Sequence, residues 1–225
     1  MCLLLVKYAG KEIEDNLLKQ MWSDNKDGFG TCYSKDNELI ITKGMIFDDF
    51  IKHIKSIPIE QEIVVHTRWG NIGSKKLYNC HPFRISEDFC MFHNGSITID
   101  RPMKEMSDTY SFAHNIIAPL LKRRPEIFLE DSFRKIVEEA IGVNNKLVMM
   151  RKDGKIVIFN ERQGQMYKGL WVSNGRSLYG SHWGNGQVVS CTYTPGNTAP
   201  NRPTTTNTQN PIPDTVWDGM EGYYG

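Results

Sequence analysis

Apolar residues fill positions 2–6 without a break (CLLLV) until Ala9-Gly10 stop the run, which predicts a short strand over 2–8 buried on both faces. Ile13, Leu17, Leu18 and Met21 recur at helical spacing and predict a helix over 11–22. The stretch DNKDGFG (24–30) places Asp and Gly at turn positions, and 31–34 with 38–42 read as a hairpin. Phe47, Phe50, Ile51 and Ile54 predict a second amphipathic helix that ends before Pro58.

EIVVHTR (62–68) reads as a buried strand, and a long aperiodic loop, WGNIGSKKLYNCHPF, follows it. Long loops in compact domains are where function concentrates. FCMFH (89–93) is another strand, running into Asn94-Gly95. Ser107-Asp108 cap a helix through Ala118, and 133–140 is helical. Strands are then expected at 146–150, 155–159, 166–172 and 177–179, with a hairpin turn at 151–154. Helices and strands come in blocks joined by hairpin-type connections, so the fold class is α+β with antiparallel sheets. From 194 to 214 the chain holds five of its ten prolines and almost no apolar residue. Such a segment cannot form a core. The organisation expected is one domain over 1–190 and a disordered tail over 191–225 with an aromatic, acidic end, VWDGMEGYYG, that either docks or does nothing.

Composition narrows the function by exclusion. A formal net charge of +1 gives no field of one sign, so neither a nucleic-acid partner nor an anionic membrane surface is expected. Lys75-Lys76 and Lys122-Arg123-Arg124 read as solvated faces. No apolar run approaches ~18 residues, so no transmembrane helix is expected. The five cysteines, Cys2, Cys32, Cys80, Cys90 and Cys191, are odd in number and lack a C-x-x-C pair. Free thiols in a reducing cytoplasm are therefore expected, with no disulfide framework and no zinc ribbon. His66, Cys80, His81, Cys90 and His93 fit no metal-ligand frame, so no metal and no cofactor is assigned.

Four positions carry possible chemistry, each with a structural alternative. If Met1 is removed, the Cys2 thiol and an α-amine of pKa ~7.7–8.0 share one residue, so nucleophile and base come together; otherwise Cys2 is a small hydrophobe in a strand. Asn94-Gly95 offers a side-chain amide and a close-approaching backbone N–H, the donors of an oxyanion hole, or else a plain hairpin turn. Arg68, beside Trp69 at a strand exit, suits a bidentate carboxylate or a surface ion pair. Asp108 suits an ammonium group or simply the helix dipole.

Taken in order, MC at the start, DGFG (27–30), HTRW (66–69), NCHPF (79–83), HNG (93–95) and SDT (107–109) make the sequence resemble the class II glutamine amidotransferase domain, an N-terminal-nucleophile hydrolase, most of all its short standalone members. The resemblance implies a four-layer αββα sandwich. It implies Cys2 as nucleophile after loss of Met1, with Asn94 and Gly95 as the oxyanion hole. Arg68 would hold the glutamine α-carboxylate and Asp108 the α-ammonium, with Trp69 and His93 also in the substrate-binding set. A thioester at Cys2 would release ammonia to an acceptor protein on another chain. The family's Ala-Thr-His-Gly after HTRW is replaced here by Gly70-Asn71-Ile72-Gly73. Three functions stay open: a glutamine amidohydrolase, a γ-glutamyl amide hydrolase of the same fold, and a catalytically silent binding module.

Overall fold

The computed structural model describes residues 2–175 and Leu178. The strand predicted over 177–179 and the tail over 191–225 lie outside the described residues, Leu178 apart.

Two antiparallel sheets form the centre. The first has six strands, in the order β3 (Glu38–Gly44), β2 (Phe29–Lys35), β4 (Ile63–Thr67), β1 (Leu3–Lys7), β10 (Leu170–Val172) and β9 (Gln165–Tyr167). The second has β5 (Phe83–Arg84), β6 (Phe89–Asn94), β7 (Lys146–Arg151) and β8 (Ile156–Phe159). β1 reads as an unbroken apolar run because it is central and covered on both sides. Leu3 and Leu5 face α1 (Asp15–Asp24) and α2 (Phe47–Ser56), joining Leu17, Leu18, Met21, Phe50 and Ile54 in the outer core. Leu4 and Val6 face the second sheet, in a core with Val64, Phe92, Val148, Met150 and Trp171. Burying each of these side chains stabilises the fold by about 1.5–3 kcal/mol.

The far side of the second sheet is covered by α3 (Asp108–Phe112), α4 (Ala118–Arg123) and α5 (Asp131–Ile141). Phe128 meets Phe89 edge-on at 5.1 Å between ring centres, and Phe133 meets Phe159 at 6.1 Å. Helices, sheet, sheet and helices make the expected four-layer αββα sandwich.

Several boundaries differ from expectation, for local reasons. The helix capped by Ser107 does not stop at Ala118; it runs through a π-helical turn, Ala113–Ile117, into α4. Pro119 has no N–H to give its preceding turn, and the wider π turn absorbs that missing bond. The strand expected over 166–172 is two strands, because Lys168 (φ 49°) and Gly169 (φ 80°) are both left-handed and close a two-residue hairpin. α1 begins later than 11, at Asp15.

Candidate active site

The sheet register converges on Cys2. Leu3 lies opposite Thr67, so Cys2 arrives beside the residues that leave β4, Arg68 and Trp69. On the other flank β10 runs out beside β1: Ser173 N–H donates to Leu4 C=O at 2.9 Å, and Asn174 Nδ2 to Cys2 C=O at 3.0 Å. Cys2 Sγ accepts from Trp69 N–H at 3.3 Å and donates to Trp69 C=O at 3.5 Å. Burial pushes the Cys2 thiol up from its ordinary value, while the Trp69 N–H and the Arg68 charge act in the opposite direction. Cys2, Trp69, Asn71, Gly95, Ser96, Asn144 and Asn145 line a pocket of about 200 Å³. A wider surface depression of about 320 Å³ near Asp88 and Arg151 is lined by no cysteine, serine or threonine.

β6 belongs to the other sheet and delivers Asn94 to the same place. Asn94 is buried, and its Nδ2 lies 2.7 Å from Ser173 Oγ. Gly95 follows at φ 145°, a conformation that side-chain-bearing residues rarely adopt, and a Cβ there would overlap Asn145 Oδ1.

The arginine end is laced by the two motifs read as loops. Arg68 N–H donates to Gly28 C=O at 2.8 Å, and Asp27 N–H to Arg68 C=O at 3.0 Å. The Asp27 carboxylate then accepts from Gly70 N–H at 2.9 Å and Lys75 Nζ at 3.0 Å. Burial pushes the Asp27 carboxyl up, but these donors outweigh it and hold it below the usual range. The Arg68 guanidinium is buried against Gly70, gives Nη2 to Ile72 C=O at 3.2 Å, and keeps Nη1 without a protein partner. DGFG and NCHPF are in contact. A Cβ at Gly28 would stand 2.5 Å from Cys80 Sγ, and one at Gly30 would overlap His81 C=O. Asn79 ties the next loop in, with Nδ2 to Glu105 C=O at 2.7 Å and Oδ1 accepting Ser107 N–H at 3.0 Å.

Asp108 is buried, and both its oxygens are engaged, by Ile97 N–H at 2.6 Å and Thr109 N–H at 2.9 Å. His93 is also occupied: Nδ1 pairs with Thr109 Oγ1 and Nε2 with Asn145 Oδ1, each at 2.9 Å. The structure therefore brings Cys2, Trp69 and Gly95 to one pocket with Asn94 adjoining Gly95. Arg68, Asp108 and His93 stand outside the pocket lining, as buried supports of its loops. Asn145, Ser173 and Asn174 share the site and carry no distinctive local pattern, whereas Asp27 opens the DGFG motif without an assigned role there. Asn145 reads as a turn residue between a helix and a strand, and Ser173 as a strand end.

Behind the site, the His66 and His81 rings pack at 4.2 Å and are buried. Burial first, and then Arg68, Lys43 and the other histidines, hold both far below the ordinary value. Both stay neutral in the fold, whereas an unfolded chain protonates them below about pH 6.5. The unfolded state then binds more protons, so stability is present above pH 6.5 and lost as pH falls below it. Two such groups give a loss of about 2.7 kcal/mol per pH unit. His53, His93 and His114 are lowered by burial too and add to the slope. His66→Leu, which removes a ring whose nitrogens have no protein partner, should therefore lower the slope of stability against pH by about 1.4 kcal/mol per pH unit at most in urea unfolding between pH 6.5 and 5. An unchanged slope would place the acid sensitivity elsewhere.

Among the described residues no group of three or more His, Cys, Asp or Glu is arranged to hold a metal, and no helix is long and apolar enough to cross a membrane. Cys2, Cys32, Cys80 and Cys90 are free thiols, and burial lifts Cys80 to about 11.

No family model matches the chain. Over 107 residues, 43% of its length, it is 30% identical to a probable glutamine–fructose-6-phosphate aminotransferase (isomerizing) of Acanthamoeba polyphaga mimivirus, of which the match spans 18%. Among solved structures, the glutamine phosphoribosylpyrophosphate amidotransferase of B. subtilis matches 76% of the chain at a TM-score of 0.50 and 15% identity, with 41% of that protein covered. A glutamine aminotransferase class-II domain protein from Silicibacter pomeroyi matches 67% of the chain at a TM-score of 0.38 and 16% identity, with 73% of it covered. The four-layer αββα fold is the one this chain shares with the B. subtilis amidotransferase over the matched part.

Proposed function

We propose that this chain hydrolyses the side-chain amide of glutamine, with Cys2 as an N-terminal nucleophile after removal of Met1. The observation that carries this function is the shared pocket of Cys2 and Gly95, with Asn94 beside it and a backbone donor already on the sulfur. The freed α-amine takes the thiol proton, and the thiolate attacks the amide carbon. The oxygen of the tetrahedral intermediate accepts from the Gly95 N–H and the Asn94 side-chain N–H, donors set for charge that develops only in the transition state. The ammonium returns its proton to the leaving nitrogen, ammonia departs, and a γ-glutamyl thioester remains on Cys2. Water, deprotonated by the same amine, attacks the thioester; glutamate leaves and the thiol is restored. The motif resemblance assigns Arg68 to the α-carboxylate; it stands behind the pocket lining in this structure, and its buried Nη1 is the donor that has no protein partner. Asp108, as a carboxylate with acceptor capacity beyond its two backbone donors, is the group for the α-ammonium. His93 serves by fixing Asn145 under Gly95. Ammonia would pass to an acceptor protein of separate identity.

The test is intact mass and ammonia release. Purified protein is expected to lack Met1, to release ammonia from glutamine, and to take one 6-diazo-5-oxo-norleucine adduct on the Cys2 peptide. The Cys32, Cys80 and Cys90 peptides should stay unmodified, since those thiols are buried. Adduct formation with faster turnover of γ-glutamyl conjugates than of glutamine would transfer the same chemistry to the conjugates. A processed Cys2 that ignores the reagent and every amide would overturn the function.

A further inference from the structure

Asn94 and Ser173 are both buried, and their hydrogen bonds do not balance as the atoms stand. Ser173 Oγ accepts from Leu4 N–H at 2.9 Å and has Asn94 Nδ2 at 2.7 Å, so both its acceptor sites are taken and its proton has no target. Asn94 Oδ1, meanwhile, is buried with no partner. A half-turn of the Asn94 amide pairs the Ser173 proton with Asn94 Oδ1 and leaves one buried group without a partner, Asn94 Nδ2, in place of two. The Ser173 hydroxyl then donates to Asn94 Oδ1 while still accepting from Leu4 N–H. Asn94 Nδ2 moves to the side that now lacks a partner, free to donate to something the protein itself does not supply. The two orientations differ only in which of two similar atoms faces Ser173. A buried donor or acceptor without a partner is costly enough to decide between them.

We infer that Ser173 is a positioning residue for the proposed reaction: its hydroxyl, anchored on the Leu4 backbone two residues from Cys2, turns the Asn94 amide so that its N–H faces the developing oxyanion. One hydroxyl thereby links the strand that begins at the nucleophile to the strand that ends at the oxyanion donor, across the two sheets. Neighbouring Asn174 holds the Cys2 carbonyl, so residues 173–174 set both ends of the chemistry. The inference rests on the glutamine reading above and predicts an effect on turnover, not on substrate capture.

The experiment is a double-mutant cycle on glutamine hydrolysis by the full chain, with Ser173→Ala, Asn94→Ala and both together. Asn94→Ala should lower kcat about 10²–10³-fold, the usual loss of one oxyanion donor. Ser173→Ala should lower kcat roughly 10-fold or more with KM within about twofold, and should have almost no further effect in the Asn94→Ala background, because it acts through Asn94. Ser173→Thr and Ser173→Val are isosteric with one another, so packing strain cancels between them and the hydroxyl alone is read; Thr should exceed Val in kcat by a similar factor. Equal kcat for the Thr and Val variants, or a Ser173→Ala loss that persists undiminished in the Asn94→Ala background, overturns the inference and leaves the glutamine reading standing. Wild-type protein that releases no ammonia from glutamine overturns both.

Discussion

Cys2→Ala is expected to reduce ammonia release from glutamine by at least about 10⁴-fold while the chain keeps its fold. Loss of a nucleophile that has no substitute in its pocket removes the covalent route altogether, and in hydrolases of this logic the cost is several orders of magnitude. Nothing else lining the pocket can take over: Trp69, Asn71, Gly95, Ser96, Asn144 and Asn145 include one hydroxyl and no thiol or imidazole. Cys2→Ser should fall nearly as far, because an α-amine of pKa ~7.7–8.0 is well matched to a thiol and poorly matched to an alcohol. The structural cost is small. Sγ is held by the two Trp69 backbone contacts at 3.3 and 3.5 Å, and the strand it precedes is fixed by pairing of Leu3 to Lys7 with β4 and of Leu5 to Lys7 with β10. Thermal and urea unfolding should therefore move by about 1 kcal/mol or less. Turnover within tenfold of wild type in Cys2→Ala would end the case for a covalent cysteine mechanism. A variant that loses activity only because it unfolds would show itself in the same melts.

What the sequence disclosed and what it withheld divide along contact distance. β1, α2 and β4 were legible because each carries its own period or its own unbroken apolar run, and Arg68 and Trp69 were legible because they follow such a strand directly. The pairing of DGFG with NCHPF was not visible locally: Gly28 and Gly30 read as turn residues, yet they are small because Cys80 and His81 lie against them. Ser173 and Asn145 were missed for the same reason. Ser173 meets Asn94 across 79 residues of chain, and Asn145 meets His93 across 52, and nothing in their immediate neighbours records either meeting. His93 and Asp108 belong to recognisable motifs, but only the folded chain places their polar atoms on Thr109, Asn145 and Ile97.

Gly95→Ala should cost about 2–4 kcal/mol of stability and at least about 10²-fold in turnover, because two penalties fall on one residue. The first is conformational: φ of 145° is unfavourable once a Cβ is present, at about 1–3 kcal/mol. The second is steric, since the new Cβ would overlap Asn145 Oδ1 and stand 2.8 Å from Asn145 Cγ. Asn145 cannot retreat cheaply. Its Oδ1 accepts from His93 Nε2 at 2.9 Å, its Nδ2 donates to Ile141 C=O at 2.5 Å, and its own C=O accepts from Asn160 Nδ2 at 2.8 Å. The Gly95 backbone must therefore shift, and its N–H with it, away from the place where the oxyanion forms. Gly142→Ala is the control: φ is 75°, and a Cβ there meets no atom within 4 Å, so it should cost only about 1 kcal/mol and leave kcat unchanged. Asn145→Ala itself strands His93 Nε2 and Ile141 C=O, but combined with Gly95→Ala it should cost less than the sum of the two single substitutions, because the overlap is relieved, and should not restore activity, since the backbone strain and the lost support remain. The readouts are the urea midpoint and kcat for each variant. If Gly95→Ala matches Gly142→Ala in both, the 94–97 turn yields freely and a rigid oxyanion hole resting on Asn145 is the wrong account of this site.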